Sequence, residues 1–134
     1  MPAAWLVDIR LAEEKASAGD LEGAIALSRA VIEEGFASGG TQYVWRPTIV
    51  LVEALLRGGT DTDLQDAQAA INRLTALPTE PGNVMHDLWL LRMRALLART
   101  RGDEASYRDY RDRYCKMATD LGFEGHMKWA EEMP

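Results

Sequence analysis

The sequence is poor in residues that staple or coordinate. It has one cysteine and two histidines in 134 residues. One cysteine cannot close an internal disulfide, which fits a reducing compartment. His86 and His126 stand far apart, and neither has a second histidine four residues away, so no helical metal pair is present. Basic charge is also short. Fifteen Lys and Arg against 21 Asp and Glu give a net charge of −6, and the pI is about 4.9. That balance argues against general nucleic-acid binding. Long apolar runs are missing too. The run Ile49-Val50-Leu51-Val52, for example, stops at Glu53, whereas a membrane span needs about 20 apolar residues. The start, Met1-Pro2-Ala3-Ala4-Trp5-Leu6-Val7-Asp8, lacks a basic export region. The expectation is a soluble, cytoplasmic protein with no membrane partner.

What is present suits a packed helical domain. Apolar residues make up 47% and charged residues 27%, which supports a real core and argues against long disorder. Trp5, Ile9, Ala12 and Ala16 share one helical face. Gly19-Asp20 breaks that helix, and Asp20 is placed to cap the next one. The second helix carries Leu21, Ala24, Ile25, Val31 and Ile32, and Gly35 is expected to end it before a loop at Ala37 to Gly40. Thr48 to Val52 is rich in β-branched residues and allows a strand, but apolar positions Ile49, Val52, Leu55 and Leu56 fit a helix better. Pro47 suits its first position; a helix starting near Thr41 would be kinked there.

Gly58-Gly59 ends the third helix, and Asp63 is expected to cap the fourth, with its stripe Leu64, Ala67, Ile71, Leu74 and Leu77. Pro78 to Gly82 reads as a turn. Met85 to Arg101 is apolar on nearly every side, as in the middle of a stack. Gly102-Asp103 repeats the earlier break and cap. The sixth helix has a seam of Tyr107, Tyr110, Tyr114, Met117 and Leu121, closed by Gly122, and Glu124 to Glu132 is long enough for one short final helix.

The four tryptophans, Trp5, Trp45, Trp89 and Trp129, are separated by 40, 44 and 40 residues. The first three precede Gly19, Gly59 and Gly102 by 14, 14 and 13 residues. A period near 40 with two helices per unit reads as an α-solenoid. Ala18-Gly19-Asp20-Leu21-Glu22-Gly23-Ala24-Ile25 resembles the inter-helix turn of a tetratricopeptide repeat. The tryptophans fall about a turn earlier than that family's first-helix aromatic, and Tyr107 stands where a small residue belongs. The expected fold is therefore all-α: a tetratricopeptide-like stack of three antiparallel helix pairs with a short C-terminal capping helix. It forms one domain over 1–134, with units near 3–40, 41–82 and 83–121 and a cap at 122–134.

No chemical motif is complete. Asp61-Thr62-Asp63-Leu64-Gln65-Asp66 lacks the glycine and distal glutamate of a calcium loop. Cys115 has no local histidine and reads as a packing thiol. His86 reads as a surface or capping residue. Gly58-Gly59-Thr60 has no phosphate-binding lysine. The adjacent acids Glu13-Glu14, Glu33-Glu34 and Glu131-Glu132 point to different helix faces and form no acid–base pair. No catalytic, cofactor-binding or metal residue is assigned.

Charge is unevenly placed. Residues 92–116 hold eight basic and four acidic side chains, a net of +4 against −10 elsewhere. Glu104–Arg108, Asp109–Arg113 and Asp112–Lys116 are i, i+4 pairs worth about 0.2–0.5 kcal/mol each. Arg92, Arg94, Arg99 and Arg101, with Trp45 and Trp89, are the candidate contacts to a partner, because Arg and Trp are favoured at interface centres.

The run Leu96-Leu97-Ala98-Arg99-Thr100-Arg101-Gly102-Asp103-Glu104 and its continuation through Leu121-Gly122-Phe123-Glu124-Gly125-His126 to Pro134 resembles the C-terminal end of large actinobacterial regulators. Those proteins join an adenylate cyclase-type domain, an ATPase domain and a tetratricopeptide-like tail. Val50-Leu51-Val52-Glu53-Ala54-Leu55-Leu56 is similar to that tail as well. The family's catalytic and nucleotide-binding residues have no counterpart in this sequence. The resemblance implies a non-catalytic interaction or regulatory module, with any catalysis in domains outside this chain. Its partner would be a protein, a peptide or upstream domains of the same polypeptide. A stand-alone adaptor or homodimer is the alternative. Phe123 and Trp129 are expected to fold the last helix over the end of the stack.

Overall fold

The computed structural model describes residues 3–40, 43–77 and 84–133, with side chains in the first stretch from Val7 onward. Seven helices run through them: α1 (Ala3–Ser17), α2 (Leu21–Ser38), α3 (Trp45–Gly58), α4 (Asp61–Thr75), α5 (Val84–Arg101), α6 (Glu104–Leu121) and α7 (Glu124–Glu132). Among the described residues there is no strand, and no helix is long and apolar enough to cross a membrane. The expected turn at Pro78 to Gly82 and the packing of the Trp5 side chain lie outside the described residues. The β-branched run of α3 is helical because Val50, Leu51, Val52, Ala54 and Leu55 are all buried there. Burial overrides the local strand preference.

Helix length is set by glycines in the left-handed conformation. Gly19, Gly39, Gly59, Gly102 and Gly122 have φ between 71° and 88°. At Gly19 and Gly102 the next residue does two jobs. The Asp20 N–H donates to the Lys15 carbonyl at 2.8 Å, closing α1, while its Oδ1 accepts from the Gly23 N–H at 3.0 Å, opening α2. Asp103 repeats this, with its N–H on the Ala98 carbonyl at 2.9 Å and its Oδ1 on the Ser106 N–H at 3.2 Å. Both expected caps are therefore present.

Other boundaries differ from the sequence expectation. Gly35 does not end α2, which runs on to Ser38 with Gly39 as its left-handed cap. Gly35 is buried because α3's entry residue Val44 lies against it. A Cβ there would sit 2.7 Å from Val44 Cγ1. Asp63 is not the N-cap of α4. Thr60 is, and the two form a reciprocal capping box. Pro47 is the third residue of α3 and is buried in its first turn, where a backbone N–H has no intrahelical partner to lose. The helix is thus neither started nor kinked by it.

The chain divides into two compact units, Met1–Leu77 and Pro78–Pro134. In the first, α1 packs on α2, α2 on α3 and α3 on α4, and α1 also touches α3. Ile9, Ala24, Val31, Val52, Leu55, Ile71 and Leu74 are among its buried residues. An Arg46–Glu13 ion pair ties α3 to α1. In the second unit, α5 packs on α6 and α6 on α7. Leu88, Leu91, Tyr114, Ala118 and Ala130 form a core cluster, flanked by Tyr110, Met117, Phe123, Met127 and Met133. Leu121, expected in the α6 seam, is instead 42% exposed. Cys115 is exposed rather than packed. The Glu104–Arg108 and Asp109–Arg113 pairs form. Lys116 pairs forward with Asp120 at 2.7 Å, and Asp112 takes Arg111.

Replacing Gly35 with Ala decides between two opposing effects. Alanine gains up to about 1 kcal/mol of helix propensity. The new methyl meets Val44, which is fully buried and stiff at χ1, and such overpacking costs about 1–3 kcal/mol. The expected outcome is a net loss of about 1 kcal/mol for Gly35→Ala, read from urea denaturation followed by far-UV circular dichroism. An unchanged or raised midpoint would show that the α2–α3 contact yields easily.

Candidate functional site

The second unit gathers four aromatic residues, Trp89, Tyr114, Phe123 and Trp129, around one histidine. Trp89 and Arg92 are three apart on α5, and His126 and Trp129 are three apart on α7, so each helix presents its pair on one face. His126 is 5% exposed. Trp89, Trp129 and Tyr114 lie edge-on to it at centroid distances of 5.0, 5.0 and 5.5 Å, with Phe123 at 6.4 Å. The Tyr114 hydroxyl and His126 Nδ1 share a 2.6 Å hydrogen bond. Edge-on aromatic pairs contribute about 0.5–1.5 kcal/mol each beyond area burial. Trp89 of α5 and Tyr114 of α6 thus hold the last helix in place by gripping the His126 ring. Of the two residues expected to do so, Trp129 meets α5 through Trp89 and Phe123 packs on the core cluster.

The outer side of the cluster is open. Trp129 is 38% exposed, and Trp89 is half-buried with its ring 5.4 Å from that of Trp129. The Arg92 guanidinium lies 5.9 Å from the Trp89 ring centroid and 5.3 Å from that of Trp129, within cation–π reach. Burial first, and the Arg92 charge second, hold His126 below its usual pKa of 6.5. The ring is therefore neutral in the fold near pH 7.

The six sequence-predicted contacts do not form one group. Trp89 and Arg92 come together, joined by Trp129. Trp45 is buried at the start of α3 in the first unit. Arg94 is half-buried, while Arg99 and Arg101 are exposed in the last turn of α5. At about 3.6 residues per turn, Arg92 and Arg99 share one side of α5, and Arg94 and Arg101 lie about 160° round it. The sequence alone does not mark His126 as the centre of a site. Its position three residues before Trp129, in a short apolar-faced helix, was the available signal. Among the described residues no group of three or more His, Cys, Asp or Glu could hold a metal.

The first unit contains a groove of about 280 Å³ between α2 and α4, floored by α3. Ile32, Phe36, Leu51 and Leu74 give it apolar walls, and the small Ala69 and Ala70 leave it open. Two ion pairs cross it. Arg29 Nη2 meets Asp66 Oδ2 at 2.9 Å, and Arg73 forks onto Glu33, with Nη2 3.4 Å from Oε2. The Arg73 guanidinium also lies 3.7 Å over the Phe36 ring, and its hydrogen bond holds the Glu33 carboxyl below the ordinary range.

The histidine environment gives a signed pH dependence. His126 and the half-buried His86 both have lowered pKa values, each chiefly through burial. The unfolded chain therefore binds more protons just below pH 6.5, and stability falls as pH drops from 6.5 through the folded-state values. The urea midpoint is expected to decline between pH 7 and pH 5. His126→Phe should flatten that decline, leaving the His86 part. An identical slope in the variant would mean that His126 does not titrate with unfolding.

No family model, curated protein or solved structure matches this chain.

Proposed function

We propose that this chain is a non-catalytic protein-interaction and regulatory module, built as a tetratricopeptide-like stack of antiparallel helix pairs. The observation that carries this reading is the Trp89–Arg92–Trp129 surface. Two partly exposed indoles with a guanidinium against them are the side chains that dominate interface energetics. They are held on a buried aromatic base, so little ordering is left to be lost on docking. The glycine spacing supports the repeat architecture. Gly19, Gly39 and Gly59 are 20 residues apart, as are Gly102 and Gly122. A hairpin of 40 residues is longer than the tetratricopeptide unit of about 34, which is why the stack is tetratricopeptide-like. The resemblance of the C-terminal run supports a place in a larger cyclase/ATPase-type signalling regulator. The partner is then an upstream domain or a separate protein segment.

A photo-cross-linking residue at exposed Lys128, beside this surface, tests the reading in the source cell. The expected immunoblot shows a cross-linked product that is lost when Arg92→Ala is added. A free chain of 14.9 kDa with no cross-linked product would overturn it.

A second reading, a stand-alone homodimerising scaffold, is favoured by one feature of α1. Val7 and Leu11, one turn apart, are 65% and 42% exposed. Sedimentation equilibrium separates the two readings. A dimer dissolved by Val7→Glu would establish the scaffold, and a monomer across the concentration range would remove it.

A further inference from the structure

Trp89 and Arg92 belong to a longer stripe on α5. Met85, Trp89, Arg92, Leu96 and Arg99 follow one another at steps of four, three, four and three residues. At about 100° per residue they fall within about 80° of one another around the helix. Met85 is 38% exposed and Arg99 is exposed, with Trp89, Arg92 and Leu96 half-buried between them. Leu88, Leu91, Ala95 and Ala98, which cluster with buried residues of α6, lie about 100° round the helix. The stripe is therefore separate from that core. We propose, on the reading of Trp89–Arg92–Trp129 as an interaction surface, that this stripe receives an acidic amphipathic helix of the partner protein.

The spacing selects a helix. Steps of four and three residues make the seam along which one helix packs on another. From Met85 to Arg99 the seam is about 21 Å long at 1.5 Å per residue, the span of two heptads. Trp129 gives it an apolar wall on α7, with its ring 5.4 Å from that of Trp89.

The charge selects acid. Both ionised side chains on the stripe, Arg92 and Arg99, are cations. Asp87, the acid of α5, lies about 160° from the centre of the stripe. Asp103, four residues after Arg99, has its Oδ1 on the Ser106 N–H. Beside Trp129, the exposed Lys128 and Glu132 offset one another. An uncharged helix would cover two guanidiniums without a counter-charge, and a basic helix would add repulsion. The Arg92 guanidinium lies against the Trp89 and Trp129 rings, and a guanidinium so placed meets a carboxylate through its in-plane N–H donors.

Methyl NMR of the full chain, labelled at Met and Leu, tests this with three capped peptides of about 18 residues. All carry leucines at heptad spacing. The first has glutamates beside them, the second has lysines, and the third is the first with two central glutamates replaced by proline. The expected result is saturable shifts at the Met85 and Leu96 methyls. At low salt the glutamate peptide should bind tighter than either of the others by about fivefold or more. Arg99→Glu, at an exposed position away from the paired indoles, should narrow the gap between glutamate and lysine peptides about threefold or more. Equal or tighter binding of the lysine or proline peptide, an unchanged gap in Arg99→Glu, or no saturable shift at Met85 and Leu96 would each overturn the proposal. So would the same shifts arising from protein concentration alone, which would give the stripe to a second copy of the chain. The interaction reading fails separately. A cross-link at Lys128 with a failed peptide test leaves a partner of other chemistry, whereas loss of the cross-link removes the partner itself.

Discussion

A two-residue turn sets the scale of much of this molecule. A glycine takes the left-handed backbone that an L side chain resists, and the aspartate after it finishes one helix and starts another. The aspartate N–H goes back to the carbonyl five residues earlier, and its carboxylate goes forward to the N–H three residues later. Hydrogen bonds to this N-terminal backbone hold Asp20 below the ordinary carboxylate range. At Asp103 the Ser106 hydroxyl and N–H do so. Because each helix and its turn occupy about the same length of chain, apolar stripes spaced at helical period arrive facing one another.

That local chemistry is what made the fold legible. Asp20, Asp103, Gly59 and Gly122 act within a few residues of themselves, and their roles can be read from their neighbours. So can the bounds of α7. Gly35 could not be read that way. A glycine before a small-residue loop has the same local signature whether it ends a helix or admits a later segment, and Val44 decides between the two. Asp63 shows the same problem at closer range. Thr60 and Asp63 are both competent caps, and the box they form uses each of them. The tryptophan period was a weaker guide than the glycines. Trp45 is the first residue of α3, but Trp89 is the sixth of α5 and Trp129 the sixth of α7.

The candidate surfaces were less legible, because both depend on contacts between helices. Trp89 and Arg92 could be singled out by residue type. Their meeting with Trp129 depends on α7 docking through His126. The groove in the first unit is framed by small residues, Ala69 and Ala70, that carry no signal alone. Its crossing pairs, Arg29–Asp66 and Arg73–Glu33, span 37 and 40 residues, far beyond the i, i+4 pattern visible in a sequence. These exposed pairs add at most about 1 kcal/mol each.

The order in which helices pack has a kinetic meaning. Most of the packed pairs are neighbours along the chain, α1 with α2, α2 with α3, α3 with α4, α5 with α6 and α6 with α7, and α1 also reaches α3. Closing short loops costs little entropy before contacts form, and topologies dominated by local contacts fold in microseconds to milliseconds. A helix emerging during synthesis thus meets its packing partner within one more helix length. Each unit gains its core as the chain lengthens.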